Sequence, residues 1–336
     1  MSRIAVMGSG AWGTAIALSL ARRGGHSIAL WSHSAEVATV LRERGENTTF
    51  LPGFPLLPGI HPTADMTAAL ADAEIIVSVM PSHHVRSSFE RFAPHLREGQ
   101  LLVSASKGIE DESCLRMSEV IAQVLMARGL RLPVAALSGP SFAQDVAAGS
   151  PTAISIATLD HEQAAHLQRE FSSNTLRLYT NEDIIGVELG GALKNVIAIA
   201  AGVVTGLGLG HNSTAALITR GIAEITRLAI ACGGRRETLA GLSGLGDLVL
   251  TCTGSLSRNR TVGIELGHGR QLHDILAGLN GKVAEGVRTT SAALGLAQRH
   301  HVEMPIAEQM AAILYRGKSP TLAMSHLMQR PGRDES

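Results

Sequence analysis

Three glycines and one lysine mark where this chain does chemistry. Residues Arg3 to Gly13 read R-I-A-V-M-G-S-G-A-W-G, an apolar run closing on Gly8, Gly10 and Gly13, and a helical pattern runs on from Thr14 to Ala21. Strand, glycines, helix is the order that a dinucleotide-binding turn requires. Gly8 makes the tight turn, Gly10 lets a pyrophosphate approach the backbone, and Gly13 lets helix and strand pack closely. Free N–H groups and the positive end of the helix dipole then favour the phosphates. Much later, Gly186, Gly190, Lys194, Ala198 and Gly202 recur every fourth residue. Positions four apart share a helix face, so this face is a stripe nearly bare of side chains with a lysine at its centre. Such a stripe serves close helix packing or leaves room for a ligand. Burying an unpaired ammonium is expensive. Lys194 therefore either snorkels to water or has its pKa lowered by burial or nearby positive charge. In the second case it exchanges a proton with a substrate oxygen near neutral pH, and Asn195 orients it or binds the substrate.

Two further clusters refine the chemistry. Gly244 to Thr253 (G-L-G-D-L-V-L-T-C-T) leads into Ser257-Arg258-Asn259-Arg260. Asp247 has three readings: it binds a substrate hydroxyl, positions a lysine ammonium, or caps a loop or helix. Ser257 to Arg260 opens a predicted helix with Ser257 as cap. Two arginines, a serine and an asparagine at a helix start make a local phosphate site, or else a capped helix with solvated arginines. A phosphate site in addition to the glycine motif implies a phosphorylated substrate. The dinucleotide's identity turns on the end of the second strand, Ser27 to Trp31, which runs into Ser32-His33-Ser34. An NAD-specific site places Asp or Glu here for the ribose 2′-hydroxyl. None stands there, and Glu36 falls in the next helix. Ser and His donate to a 2′-phosphate that a carboxylate would repel, so NADPH is favoured over NADH; otherwise His33 is a solvated loop residue.

These groups need a scaffold. The apolar runs Ile75–Val79, Leu101–Ser104, Val134–Leu137 and Thr152–Ile156 read as strands. Repeated βα units predict a doubly wound sheet with ligands beyond the carboxyl ends of its strands, where Pro81, Lys107 and Ser141 fall. Near residue 180 the β pattern stops. Thr180 to Asp183 resembles a capping box, and a long helix follows to about Gly206. Further helices are expected over about 213–231, 258–267, 289–300, 306–316 and 321–328, with breaks at Gly233-Gly234, Gly254 and Gly278 to Gly281. The expected organisation is an α/β Rossmann-type domain over residues 1–180, an all-α substrate domain over 181–330, and a disordered tail at 331–336. Residues 47–62, rich in Pro and Gly, form a long loop that either folds over the site or is passive.

At this point the chain resembles a known family. The motifs G-S-G-A-W-G-T, S-K-G, S-G-P-S-F-A, L-G-G-A-L-K-N-V, G-L-G-D-L-V-L-T, S-R-N-R and E-G occur in family order from residue 4 to about 290. Together they resemble bacterial NAD(P)-dependent sn-glycerol-3-phosphate dehydrogenases. The resemblance implies interconversion of dihydroxyacetone phosphate and sn-glycerol 3-phosphate for phospholipid synthesis. By motif it implies that Ala11, Trp12 and His33 contact the cofactor, and that Lys107 lies by cofactor and substrate. It places Gly139, Ser141 and Ala143 along the site, the first two nearer the substrate. Lys194 is implied as general acid/base. Asp247, Ser257, Arg258 and Asn259 are implied as substrate ligands, Arg258 also near the cofactor, with Val283 and Glu285 toward the nicotinamide. Lys107 would stabilise the oxyanion and depress the pKa of Lys194. Two departures stand out: Ala11 replaces the serine of many members, and an extra residue in Arg22 to His26 blurs the placement of His33.

Composition narrows the alternatives. A 336-residue chain, 45% hydrophobic, supports two domains with a substantial core. Zero formal net charge argues against a broad nucleic-acid or membrane surface. Cys114, Cys232 and Cys252 are widely spaced and odd in number, which fits a reducing compartment and buried thiols. The first strand starts at once, so no signal peptide is expected, and Leu189 to Leu209 reads as a buried helix rather than a membrane span. The expectation is a cytoplasmic enzyme, a homodimer through its helical half. No metal is expected: the adjacent pairs His83-His84 and His300-His301 would point apart on helices. The competing readings are another two-domain dehydrogenase, of a β-hydroxy acid or hydroxyacyl thioester, and a non-catalytic dinucleotide sensor. The Ser257–Arg260 cluster argues against the first, and the stripe lysine against the second.

Overall fold

The computed structural model describes residues 1–279 and 283–332. It divides into two compact units, Met1–Lys107 with Leu115–Glu188, and Gly108–Cys114 with Leu189–Ser336. The division falls at Glu188/Leu189 rather than at the expected 180/181, within the helix Ile184–Gly206.

The first unit is built on strands β1 (Ser2–Met7), β2 (His26–Trp31), β3 (Glu46–Asn47), β4 (Leu51–Pro55), β5 (Ile60–Thr63), β6 (Ile75–Ser78), β7 (Leu101–Ser104), β8 (Val134–Ser138), β9 (Thr152–Ala157) and β10 (Leu176–Asn181). Eight of them form one sheet in the order β10-β9-β8-β7-β6-β1-β2-β5. It is parallel apart from the β8–β9 pairing. Because side chains alternate along a strand, β1 serves two cores. Ile4 and Val6 join a cluster with Ala15, Leu18 and Leu167, while Ala5 and Met7 join one with Phe89, Phe92 and Ile121. Helices such as Ala11–Arg23 and His161–Phe171 cover the first face, and Val85–Phe92 and Met117–Met126 the second. This is the doubly wound arrangement expected.

Three local expectations are corrected. The span 47–62 is not one loop, for it contains β4 and the first residues of β5. The long helix is capped by Asp183 rather than Thr180: the Asp183 carboxylate accepts from the Gly186 N–H at 2.8 Å. His83 and His84 do not diverge on an α-helix. They share a 3₁₀ turn, Ser82–His84, with ring centroids 4.0 Å apart.

The second unit is helical throughout its regular elements among the described residues. It comprises the Leu189–Gly206 part of the long helix with His211–Ala231, Arg236–Ala240, Asp247–Thr253, Arg258–Gly267, Leu272–Ala277, Glu285–Arg299, Pro305–Arg316 and Pro320–Met328. Gly254 and Gly278 end helices as expected; Gly281 and residues 333–336 of the expected tail lie outside the described residues. The helix Ile184–Gly206 is long and apolar enough to cross a membrane, but 89% of its most apolar window is buried inside the protein.

Candidate active site

In the first unit the carboxyl ends of β1, β2, β7 and β8 carry the expected residues. Gly8 has φ +136°, and a Cβ there would lie 2.0 Å from the Val79 carbonyl oxygen, so only glycine fits. A Cβ on Gly13 would lie 1.8 Å from the Gly8 carbonyl oxygen, which sets how closely helix and strand pack. A Cβ on Gly10 would meet no atom within 4 Å. Two glycines thus shape the turn, and the third leaves its backbone approachable. Ala11 and Trp12 open the helix Ala11–Arg23. The indole N–H of Trp12 is buried with no protein partner among the described residues, as a donor awaiting a ligand acceptor would be. These features fit a bound dinucleotide pyrophosphate.

Gly24 and Gly25, with φ values of +80° and +77°, make the turn before β2. β2 pairs with β1 in register to Met7↔Trp31. Buried Ser32 and exposed His33 follow directly at the strand end. The Ser34 hydroxyl caps the next helix through the Val37 N–H at 3.2 Å. Beyond β7 and β8, the Lys107 ammonium donates to the Gly139 carbonyl at 3.4 Å, and the Ser141 hydroxyl donates to the same oxygen at 3.0 Å. Ala143 opens the helix Ala143–Ala148.

In the second unit the bare stripe proves to be a docking rail. A Cβ on Gly190 would lie 2.5 Å from the Ser243 carbonyl oxygen, and one on Gly202 would lie 2.1 Å from that of Arg260. The glycines thus admit two backbone segments, one leading to Asp247 and the other belonging to the Arg258–Gly267 helix. Between them Lys194 is buried, and it is not unpaired. Its ammonium donates to the Asp247 carboxylate at 2.5 Å and to the Thr251 hydroxyl at 2.8 Å. Thr251 donates in turn to the Asp247 carbonyl at 2.6 Å. Of the three readings of Asp247, the structure supports positioning the lysine. Burial pushes the neighbouring Cys252 thiol up to about 12, the nearby Lys194 charge opposing, so this cysteine stays protonated and inert. Cys114, Cys232 and Cys252 are thiols, none of them in a disulfide.

Ser257 caps its helix, accepting from the Arg260 N–H at 3.2 Å. Arg258 extends from the first position, its residue exposed overall, with desolvation of its guanidinium lowering its pKa and the Glu285 carboxylate opposing that shift. Asn259 is buried: its amide donates to the Asn195 side-chain oxygen at 2.9 Å and accepts from the Gly286 N–H at 3.0 Å. This orients Asn195 so that its own NH₂ has no protein partner among the described residues. Val283 lies between helices, two residues before the Glu285–Arg299 helix. Sequence reasoning missed Thr251. The signal was available, because Asp247 and Thr251 are four apart and share a helix face.

The sequence profile of the NAD-dependent glycerol-3-phosphate dehydrogenase N-terminus matches residues 3–164, and that of the C-terminus matches 183–325. The chain belongs to this family. It is 69% identical to the glycerol-3-phosphate dehydrogenase [NAD(P)+] of Acidobacterium capsulatum, across 100% of both chains. It is 59% identical to that of Koribacter versatilis, across 100% of this chain and 99% of the relative. The crystal structure of a family member, glycerol-3-phosphate dehydrogenase from Coxiella burnetii, superposes with a TM-score of 0.93 at 39% identity, covering 98% of this chain and 99% of that one. A ketopantoate reductase from Ralstonia eutropha, at 16% identity and a TM-score of 0.60, shares the fold alone.

Proposed function

We propose that the chain interconverts dihydroxyacetone phosphate and sn-glycerol 3-phosphate at the expense of a nicotinamide dinucleotide, with Lys194 as general acid/base. The observation that carries this reading is the buried Lys194–Asp247–Thr251 cluster, in the same unit as a capped helix start bearing Arg258. The first supplies a proton donor, the second an anion site. When bound, the dinucleotide supplies the hydride for the ketone carbon. Lys194, as ammonium, protonates the alkoxide oxygen that forms there; in the reverse direction neutral Lys194 removes the hydroxyl proton. Asp247 and Thr251 fix the ammonium's position, and Lys107 provides a second positive charge for the oxyanion. The helix N-terminus and the Arg258 guanidinium grip the phosphate, which holds the three-carbon chain in register.

Gly8, Gly10, Ala11, Trp12 and Gly13 hold the pyrophosphate end, His33 the ribose, and Ala143, Val283 and Glu285 the remainder of the cofactor. NADPH is preferred, because β2 runs directly into Ser32 and His33 with no carboxylate there. The enzyme acts in the cytoplasm as a homodimer and supplies glycerophospholipid synthesis. The test follows absorbance of the reduced nicotinamide with dihydroxyacetone phosphate, NADH and NADPH in parallel. Consumption with both cofactors, faster with NADPH, is expected. No consumption above the substrate-free rate refutes the activity, and a clear NADH preference refutes the cofactor assignment alone.

A further inference from the structure

Asn47 is a polar side chain with every hydrogen-bonding group of its amide spoken for, and it is almost wholly buried at 1% exposure. Its NH₂ donates to the Ser9 carbonyl at 2.8 Å and to the Thr14 hydroxyl at 2.7 Å. Its oxygen accepts from the Phe50 N–H at 3.1 Å. These partners fix which way the amide points, since flipping it would set oxygen against the Ser9 oxygen. Ser9 and Thr14 bracket the glycine turn: Ser9 stands between Gly8 and Gly10, and Thr14 lies in the first helical turn, its N–H bonded to the Gly10 carbonyl at 2.9 Å. The segment that brings Asn47 here is itself closed. Glu46 accepts from the Gly53 N–H at 2.7 Å, and Leu51 is buried in the sheet's core.

A peptide unit is planar and trans, so its C=O and N–H point in opposite directions. Holding the Ser9 oxygen against Asn47 therefore aims the Gly10 N–H away from Asn47. The backbone of Val79 leaves no room for a Cβ on Gly8, whereas the side of Gly10 that a Cβ would occupy is open. Pre-aimed N–H groups bind anions at little ordering cost.

We infer that Asn47 is a positioning residue for the cofactor's pyrophosphate: it presets the Ser9–Gly10 peptide, and the 46–55 hairpin is the fixed tether of the phosphate-binding turn. The inference rests on the dinucleotide reading above and adds a residue that touches no cofactor atom itself.

Asn47→Asp is nearly isosteric. It keeps the acceptor for Phe50 but loses both donated bonds. The test titrates wild type and variant with NADPH and with ADP-ribose, which carries the pyrophosphate without the nicotinamide. Losing preset donors to an anion weakens binding by about tenfold to a hundredfold. Both ligands should lose a similar factor, KM for the dinucleotide should rise in step, and kcat at saturating cofactor should move by less than about threefold. A residue that merely held the fold together would lower the melting temperature and leave the Kd of the folded protein unchanged; that result overturns the inference. So does weakening confined to NADPH, because the effect would not pass through the pyrophosphate. If Asn47→Asp does not fold, Thr14→Val, which deletes a single partner of Asn47, decides the matter: a several-fold rise in both Kd values is expected, and unchanged values overturn the inference. Failure of wild type to bind either ligand overturns instead the dinucleotide reading on which it rests.

Discussion

Lys194 and Asp247 make the sharpest experiment, because their geometry predicts opposite additivity for stability and for catalysis. Lys194 is 7% exposed and Asp247 wholly buried, with 2.5 Å between ammonium and carboxylate. Removing one partner strands a charge in the interior, which costs about 3–5 kcal/mol. Lys194→Met should therefore destabilise the protein by roughly that amount, leaving a carboxylate with the Thr251 hydroxyl, and Asp247→Asn should do the same by stranding the ammonium. The double variant strands nothing, so its loss should fall short of the sum of the single losses by at least about 3 kcal/mol, the stranding cost of one charge. Catalysis should behave otherwise. Lys194→Met should lower kcat by roughly two to four orders of magnitude, the usual contribution of a positioned acid/base, and the double variant should recover none of it. Lys194→Arg keeps a positive charge yet cannot release a proton near neutral pH, so it should be nearly as slow. Denaturant melts of the four proteins and steady-state assays at saturating substrates supply every number. Additive stabilities would show that the pair is not the buried unit described. A Lys194 variant keeping more than about a tenth of wild-type kcat would sink the acid/base role.

Other consequences are quicker to check. Placing Asp at Ser32 or His33 should shift kcat/KM toward NADH by repelling a 2′-phosphate; an unchanged ratio in both variants means these residues do not read the ribose. Arg258→Ala should raise KM for dihydroxyacetone phosphate and also lower kcat, since grip on the phosphate positions the distant carbonyl. With glycolaldehyde as truncated substrate, added phosphite should restore rate in wild type far more than in the variant, and an unchanged KM would point to Arg260 or Lys107 instead. Glu224 is buried on the helix His211–Ala231 and accepts from the Ile306 and Ala307 N–H groups, each at 3.0 Å. Burial pushes its carboxyl up from 4.5 to about 7. The folded state therefore binds more protons than the unfolded state between those values, and stability falls as pH rises through that window, by roughly 3 kcal/mol in total. Melts of wild type against Glu224→Gln should show the wild-type advantage shrinking from pH 4.5 to 7, and a constant difference would refute the shift.

What could be read from the sequence, and what could not, follows from the range of each interaction. The glycine turn was legible because its constraints are local: Gly8, Gly10 and Gly13 each act on atoms the neighbouring strand and helix must bring. The cap at Ser257 was legible for the same reason, a serine before a helical run. The stripe from Gly190 to Gly202 announced close approach but not what approaches. Lys194 and Asp247 are 53 residues apart, and nothing in one sequence specifies that they pair, so positioning a lysine was only one of three readings of Asp247. The strands β4 and β5 were hidden by Pro and Gly, which read as loop although edge and hairpin positions tolerate them. His83 and His84 misled because they lie in the 3₁₀ turn Ser82–His84 ahead of the α-helix, where an argument from α-helical spacing does not apply.

Lysine is scarce here, and the scarcity bears on mechanism. Of 29 basic residues only four are lysines: Lys107, Lys194, Lys282 and Lys318. Arginine does much of the holding that calls for a cation. Arg22 grips the Val146 and Ala147 carbonyls, Arg116 grips the buried Glu188, and Arg299 binds the Ser113 carbonyl. A planar guanidinium with five donors does this well, but it does not give up a proton at accessible pH. An arginine could hold the Asp247 carboxylate as firmly as Lys194 does, so pairing alone does not explain a lysine at that position. The proton transfer proposed for it does. Asp247 compensates the charge, Thr251 fixes the direction, and the glycines above and below bring both backbones near enough for the short lysine ammonium to reach them. On the proposed mechanism the stripe is a packing surface and a catalytic surface at once, and each glycine on it limits how far the proposed acid can stray from its place.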